Sequence, residues 1–291
     1  MKLHFLPRLL LIIALTGFIS APGTAAARSR RSSVSGDPGG HTNRGVKYAR
    51  KKEYDKAIVE FSAAIESQPQ DPKNYSNRAL SYELSGKLEE AKADYTKAIA
   101  LRPSSDDYTH RARVELRQKN LPAALKDLDK ALEVNPKDIG TRRLRAYTNL
   151  QKRDWNKAIA DYDEIIKGAK KTDVAALERR GFAYRSMKKY DLAAADFSAM
   201  IKAQPKDIEG YRRRAYVYRA MKDNEKAMAD LRMILKLKPD DADAKALLAS
   251  MERSAATPAP AKKPATPTAR VKASPKPSAK IKPAPPAPVP Q

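Results

Sequence analysis

Apolar and small residues recur along this chain with a helical period, and one pattern of them returns six times at intervals of 33 to 35 residues. Within each repeat these residues fall at i, i+4 and i+7, as Ala91, Tyr95 and Ala98 do, which is the spacing of one face of an α-helix. A proline closes five of the six repeats, and proline disfavours helical geometry in the residue before it. The pattern therefore predicts six pairs of helices, with proline ending the second helix of a pair.

Small residues face a larger one in every repeat, which explains how the two helices of a pair pack. Small side chains at the eighth and twentieth positions let the helices approach closely, and the larger side chain at the twenty-fourth position fills the space between them. The eighth-position residues are Gly45, Ala79, Ala112, Ala146, Gly181 and Ala215. The twenty-fourth-position residues are Phe61, Tyr95, Leu128, Tyr162, Phe197 and Leu231. One pair cannot bury its apolar stripe alone, so neighbouring pairs must stack.

A period of about 34 residues with this order of small, aromatic and proline positions resembles the tetratricopeptide repeat. The resemblance covers residues 38–241 and implies an all-α fold, a right-handed α-solenoid of six helix-turn-helix repeats. The expected repeats are 38–71, 72–104, 105–138, 139–173, 174–207 and 208–241. Asp240 and Asp241 can begin a capping helix over residues 242–253. In the fourth repeat Lys170 replaces the proline, so we expect a longer connection there, with Gly168 near the helix end.

The two ends of the chain differ in composition from the repeats. Residues 1–27 run from basic to apolar to small, the order of a secretory signal peptide, and 28–37 is a polar linker. We expect an exported, periplasmic or secreted protein with no transmembrane span after cleavage; the alternative is a membrane anchor made by an uncleaved signal. Residues 254–291 hold more than half of the 21 prolines and no acid, which favours a disordered basic tail. Such a tail could tether the protein, contact an anionic envelope surface or present proline-rich ligand motifs.

Charge and motif content constrain the function. The formal net charge is +24, which suggests binding to nucleic acid or another polyanion. Export and the lack of a nucleic-acid module argue against a specific nucleic-acid partner. There is no cysteine, phosphate-binding loop or zinc-protease motif. We interpret His41 and His110 as surface histidines. We therefore expect no enzyme, no cofactor and no metal site; an enzyme with an unrecognised site would need titratable groups clustered in a pocket.

Charged residues also recur in every repeat, at the seventh and twenty-third positions. Arginine stands at the seventh, where the family has an apolar residue, so this charge needs a partner. Two readings are open: an internal ladder in which each arginine pairs with an acid, or a basic ladder for an acidic ligand. The arginines are Arg44, Arg78, Arg111, Arg145, Arg180 and Arg214. The acids are Glu60, Asp94, Asp127, Asp161, Asp196 and Asp230.

A second stripe of each first helix, at positions 2, 5, 6 and 9, lies away from the packed face. In the family this stripe lines the concave groove. In the last three repeats it combines guanidinium groups with rings, the composition of interface hot spots. These candidate groove residues are Arg143, Tyr147, Arg179, Phe182, Arg212, Arg213 and Tyr216. The alternative is that the rings only fill contacts between adjacent helices.

These patterns predict a non-enzymatic scaffold of the cell envelope. Its expected partner is a protein or peptide with acidic and apolar residues, bound in the groove. The family's carboxylate clamp is not carried over, because Asp106 and Glu209 stand where lysines are required. The alternative function is binding of an anionic polymer, such as an envelope polyanion or nucleic acid, by the basic repeats and tail.

Overall fold

The computed structural model describes residues 38–256, and this part of the chain has thirteen helices and no strand. The predicted signal peptide, the linker 28–37 and the predicted tail from residue 257 onward lie outside the described residues. The first helices of the six repeats are α1 (Pro38–Arg50), α3 (Pro72–Ser85), α5 (Ser105–Arg117), α7 (Ile139–Gln151), α9 (Val174–Ser186) and α11 (Ile208–Ala220). The second helices are α2 (Tyr54–Ser67), α4 (Leu88–Leu101), α6 (Leu121–Val134), α8 (Trp155–Gly168), α10 (Tyr190–Ala203) and α12 (Asn224–Leu237).

The predicted all-α solenoid of helix pairs is confirmed. A thirteenth helix, α13 (Ala242–Ala256), follows the sixth repeat and runs three residues past the predicted end at Arg253. The connection after α8 has five residues, whereas the other connections between repeats have three or four. Gly168 is the last residue of α8.

Helices pack in sequence order within two compact units, one ending at Val114 and one beginning at Glu115. In the first unit α2 contacts both α1 and α3, and α3 contacts α4. In the second unit each helix from α6 to α13 contacts the next one in sequence. Each unit therefore builds its core from consecutive helices.

The core consists of the small and large residues that recur in every repeat. Alanine at the twentieth position is fully buried in all six repeats. Where the eighth position is glycine, the contact is closest: a Cβ on Gly45 would lie 2.6 Å from the Phe61 ring, and one on Gly181 would lie 2.7 Å from the Phe197 ring. These distances are too short for real carbon atoms, so glycine is required by the bulk of the facing ring.

The turn inside each repeat holds one residue in the left-handed backbone region. In five turns this residue is basic and its φ lies between 58° and 63°. These residues are Lys52, Lys119, Arg153, Lys188 and Lys222; the sixth, Gly86, has a φ of 85°. The left-handed residue ends the first helix and turns the chain toward the second.

Aspartate caps the first helix of several repeats. Its carboxylate accepts a hydrogen bond from a backbone N–H in the first turn, which would otherwise lack a partner. The capping residues are Asp71, Asp138, Asp173, Asp207 and, at the start of α13, Asp241. Each cap places a carboxylate between one repeat and the next.

Candidate functional site

In the first, second, fourth, fifth and sixth repeats, the seventh-position arginine donates to the twenty-third-position acid of its own repeat. In four repeats the Nε and Nη2 atoms donate to both oxygens of one aspartate, at distances of 2.5 to 3.0 Å. These pairs are Arg78–Asp94, Arg145–Asp161, Arg180–Asp196 and Arg214–Asp230. In the first repeat the Nε of Arg44 donates to Glu60 at 3.0 Å. Two parallel hydrogen bonds to a carboxylate are the strongest arrangement available to arginine.

The same arginines also reach the repeat before their own. Their Nη1 atoms donate to a hydroxyl or carboxylate oxygen at its twenty-fifth position, at distances of 2.7 to 3.0 Å. These contacts are Arg78–Ser62, Arg111–Thr96, Arg145–Asp129, Arg180–Asp163 and Arg214–Ser198. We call this set of contacts the arginine ladder. It connects each helix pair to the one before it.

Burial and pairing set the protonation of the ladder groups. The hydrogen bonds that Arg145 and Arg180 donate to Asp161 and Asp196 raise the pKa values of the two arginines, so these side chains stay charged. Burial raises the pKa of Asp196, and the charge of Arg180 opposes that shift. Arg145 and Arg180 therefore donate their hydrogen bonds to acids of the chain itself.

Two of the candidate groove arginines are held by aspartate caps. Arg143 donates to both oxygens of Asp173, with the shorter distance 2.6 Å, and Arg212 does the same to Asp241, with the shorter distance 2.8 Å. Hydrogen bonds from these arginines lower the pKa values of Asp173 and Asp241. Arg143 therefore links α7 to the start of α9, and Arg212 links α11 to the start of α13.

The third groove arginine, Arg213, also has acidic neighbours. Its Nη2 lies 2.5 Å from Glu178 of the preceding first helix and 3.8 Å from Glu209 of its own helix. Its Nε is buried without a hydrogen-bond partner. We refer to Arg143, Arg212 and Arg213 as the clamped arginines, because acids of the chain neutralise them.

Arg179 differs from the clamped arginines. It is exposed, its guanidinium carbon lies 4.9 Å from the centre of the Tyr147 ring, and it makes no ion pair within residues 38–256. It lines a depression of about 370 Å³ together with Leu150, Phe182 and Arg213. Glu178, which pairs with Arg213, and Gln151 also line it, so the depression combines apolar side chains with a paired acid and with Arg179, which has no ion pair among the described residues.

The three groove rings lie at the ninth positions of α7, α9 and α11. Tyr147 is 39% exposed and Tyr216 is 42% exposed, so both rings are accessible from solvent. Phe182 is half-buried, and the edge of its ring contacts Trp155 at 6.0 Å between centres. The second unit thus presents rings to solvent on the stripe that the sequence singles out.

Comparison with known proteins identifies the repeats. Family models described as tetratricopeptide repeat match residues 72–105, 109–175, 143–208 and 179–242, which together exceed half of the chain. The chain belongs to the tetratricopeptide repeat family. None of the curated proteins compared matches it.

Several solved structures share this fold. YrrB, a TPR protein with an unusual peptide-binding site, is 21% identical with a TM-score of 0.56, over 64% of this chain and 96% of YrrB. The C-terminal part of a TPR protein from Cytophaga hutchinsonii is 18% identical with a TM-score of 0.61, over 73% of this chain and 85% of the other. PilF of Pseudomonas aeruginosa is 13% identical with a TM-score of 0.53, over 73% and 97%. At these identities the likeness extends to the fold alone.

Both histidines of the described repeats are partly exposed and contact glutamate, a pairing that the interpretation as surface histidines did not include. The Nδ1 of His41 lies 2.8 Å from an Oε of Glu60, and the Nδ1 of His110 lies 3.2 Å from an Oε of Glu83. Glu83 also accepts a hydrogen bond from the Tyr95 hydroxyl at 2.9 Å, and the Tyr95 ring stacks on His110. The two hydrogen bonds lower the pKa of Glu83 despite its burial. The sequence feature that could have indicated this contact is Glu83, which lies twelve residues before Tyr95.

Residues 38–256 show neither a metal-binding cluster nor a membrane-spanning helix. No group of three or more histidine, cysteine or acidic side chains there is arranged to hold a metal ion. Nor does any of the thirteen repeat and terminal helices have the length and apolar character needed to cross a membrane.

Proposed function

We propose that this protein is a non-enzymatic scaffold that binds a protein or peptide along the first helices of its last three repeats, α7, α9 and α11. One observation carries the proposal: the exposed rings of Tyr147 and Tyr216 share a stripe with Arg179, whose charge no acid of the described chain neutralises. Rings give contact area at low entropic cost, and guanidinium groups recognise carboxylates. The partner therefore combines acidic and apolar residues. YrrB has a peptide-binding site on the same fold, and we extend that use of the fold to this chain.

Site-specific photo-crosslinking in the native host tests this proposal. A benzophenone amino acid is placed at Tyr147 or Tyr216, and at Leu192 of α10 as the control, since Leu192 is equally exposed at 48% but lies on a second helix. We expect the two groove positions to capture one protein through a single segment of that protein, and Leu192 not to capture it. Equal capture from both surfaces, or none from the groove, would contradict the proposal.

Binding of an anionic polymer is the second candidate, and the net charge of +24 favours it. The salt dependence of binding separates the two candidates. Affinity for a polyanion falls steeply as salt displaces condensed counterions, whereas a peptide held by rings and a few ion pairs loses much less.

The setting that we propose is the cell envelope, after export. The order of basic, apolar and small residues over 1–27 supports it. The basic, proline-rich segment after residue 256 would then contact an anionic envelope surface.

Export makes a direct prediction about the mature protein. The intact mass of the protein purified from its own host is expected to correspond to a chain that begins near Arg28. A mass that retains residues 1–27 would contradict cleavage and favour an anchored protein.

A further inference from the structure

Each of the three groove rings is covered by an arginine. Arg179 lies over Tyr147 at 4.9 Å, Arg185 over Phe182 at 5.3 Å, and Arg219 over Tyr216 at 5.9 Å. We call Arg179, Arg185 and Arg219 the stacked arginines. The rings occupy the same position in three consecutive repeats, on α7, α9 and α11. Their arginines come from two helices: Arg179 of α9 reaches the ring of the preceding repeat, whereas Arg185 of α9 and Arg219 of α11 each lie three residues after the ring of their own helix.

The stacked arginines have no acidic partner within residues 38–256. None of them forms an ion pair there, whereas the clamped arginines lie within 2.5 to 2.8 Å of carboxylate oxygens. A guanidinium that rests its face on a ring keeps the N–H groups of its edge available for a planar acceptor. The arginines near the groove rings thus fall into two classes. The clamped arginines pair with acids, and the stacked arginines form no ion pair with the described residues.

Helix ends give a partial alternative explanation. Arg185 and Arg219 lie in the last turns of α9 and α11, where a cation is favoured by the helix dipole. Arg179 lies in the middle of α9, so the dipole does not account for its position. A helix-end role also does not require a ring beneath each guanidinium.

Apolar surface lies beside the stacked arginines. The depression at Arg179 has walls from Leu150 and Phe182. Arg219 and Tyr216 line a second depression, of about 480 Å³, together with Leu247 and Met251. Arg179 and Arg219 therefore each lie beside apolar side chains.

We propose that the stacked arginines form subsites for carboxylate side chains, and that the ligand is a peptide segment that carries both acidic and apolar residues. The charge of the stacked arginines and the apolar surface beside them are complementary to this chemistry. The inference rests on the proposed function and adds to it which cations contact the ligand. The clamped arginines hold the helices together and do not contact the acidic groups of the ligand.

Fluorescence anisotropy with defined peptides tests the inference. The probes are a fluorescein-labelled peptide of four Glu-Ala-Phe units and a matched peptide of four Gln-Ala-Phe units, and labelled oligothymidylate is the polyanion probe. We expect the Glu peptide to bind at least about tenfold more tightly than the Gln peptide, because each pair between charged groups is worth more than a neutral contact.

Matched variants assign the effect to the stacked arginines. The Arg179→Gln, Arg219→Gln double variant is expected to weaken the Glu peptide about tenfold or more and to leave the Gln peptide unchanged. The control is Lys157→Gln, Lys226→Gln, which removes the same charge from the second helices α8 and α12. It is expected to change affinity less than about twofold, because exposed charges off the groove act only through screened long-range attraction. Circular dichroism verifies that both variants remain folded.

Three outcomes would overturn the inference. Equal affinity for the Glu and Gln peptides would show that no carboxylate subsite exists, while groove-specific crosslinking could still uphold the proposed function. Equal loss in the groove and control variants would mean that only net charge matters. Tighter binding of oligothymidylate than of the Glu peptide, or no binding of either peptide, would exclude an acidic peptide as the ligand.

Discussion

Replacing Phe197 by alanine is expected to lower the free energy of unfolding of the second unit by about 3–5 kcal/mol. The ring is 1% exposed and fills the space between α9 and α10, where Gly181 leaves no side chain of its own. Removing the ring leaves a cavity that the two closely packed backbones cannot close. Urea denaturation followed by helical circular dichroism measures the effect.

A double-mutant cycle with Gly181 gives this prediction its control. In the natural background Gly181→Ala is expected to destabilise by about 1–3 kcal/mol, because the new Cβ would meet the Phe197 ring at 2.7 Å. In the Phe197→Ala background the same change should stabilise, since alanine favours helix over glycine and fills part of the cavity. If Gly181→Ala has the same sign in both backgrounds, the ring does not explain the glycine.

Replacing Arg145 by alanine is expected to destabilise the second unit by about 1–3 kcal/mol. The change leaves the buried Asp161 without the two hydrogen bonds that it accepts from Arg145, and it removes the contact with Asp129 of the preceding repeat. The midpoint of thermal or urea unfolding measures the loss. Arg145→Lys is expected to recover only part of it, because an ammonium group cannot pair bidentately with one acid while reaching the other.

Arg44 is the matched control for the ladder. It is 49% exposed and makes one hydrogen bond to Glu60, so Arg44→Ala is expected to cost less than about 1 kcal/mol. If the Arg145 variant unfolds at the midpoint of the unmodified protein, the ladder arginine is solvated and free to bind ligand. That result would favour the ligand-binding reading of the ladder.

The fold could be predicted from the sequence because packing in every repeat uses the same few side chains. A small residue that faces a ring at a constant spacing, as Gly181 faces Phe197, fixes both the helical period and the pairing of the helices. The first-helix stripe could be located in the same way. Its rings at Tyr147 and Tyr216 are exposed, which periodicity alone does not show.

The charged contacts could be predicted only in part, because their acceptors vary in residue type. The ladder acceptors at the twenty-fifth position are serine, threonine or aspartate, so they share a hydrogen-bonding atom and not an identity. Asp173 and Asp241 are recognisable as helix caps, but their contacts with arginines about 30 residues earlier depend on how successive helices stack. The sequence of one helix shows which arginines share a face. It does not show which of them pair with acids of neighbouring helices, so it cannot distinguish clamped from stacked arginines.

The left-handed residues of the turns bear on how stable this array could become. A side chain beyond glycine is disfavoured at positive φ by about 1 kcal/mol, yet five of the six turns use lysine or arginine there. Gly86 occupies this position in the turn of the second repeat, with a φ of 85°, so glycine is compatible with this geometry. The turns lie in different repeats, and small changes at separate sites add. Glycine in place of the lysine or arginine in these five turns is therefore expected to stabilise the protein. A more thermostable version can be sought in the turns without altering either the ladder or the groove.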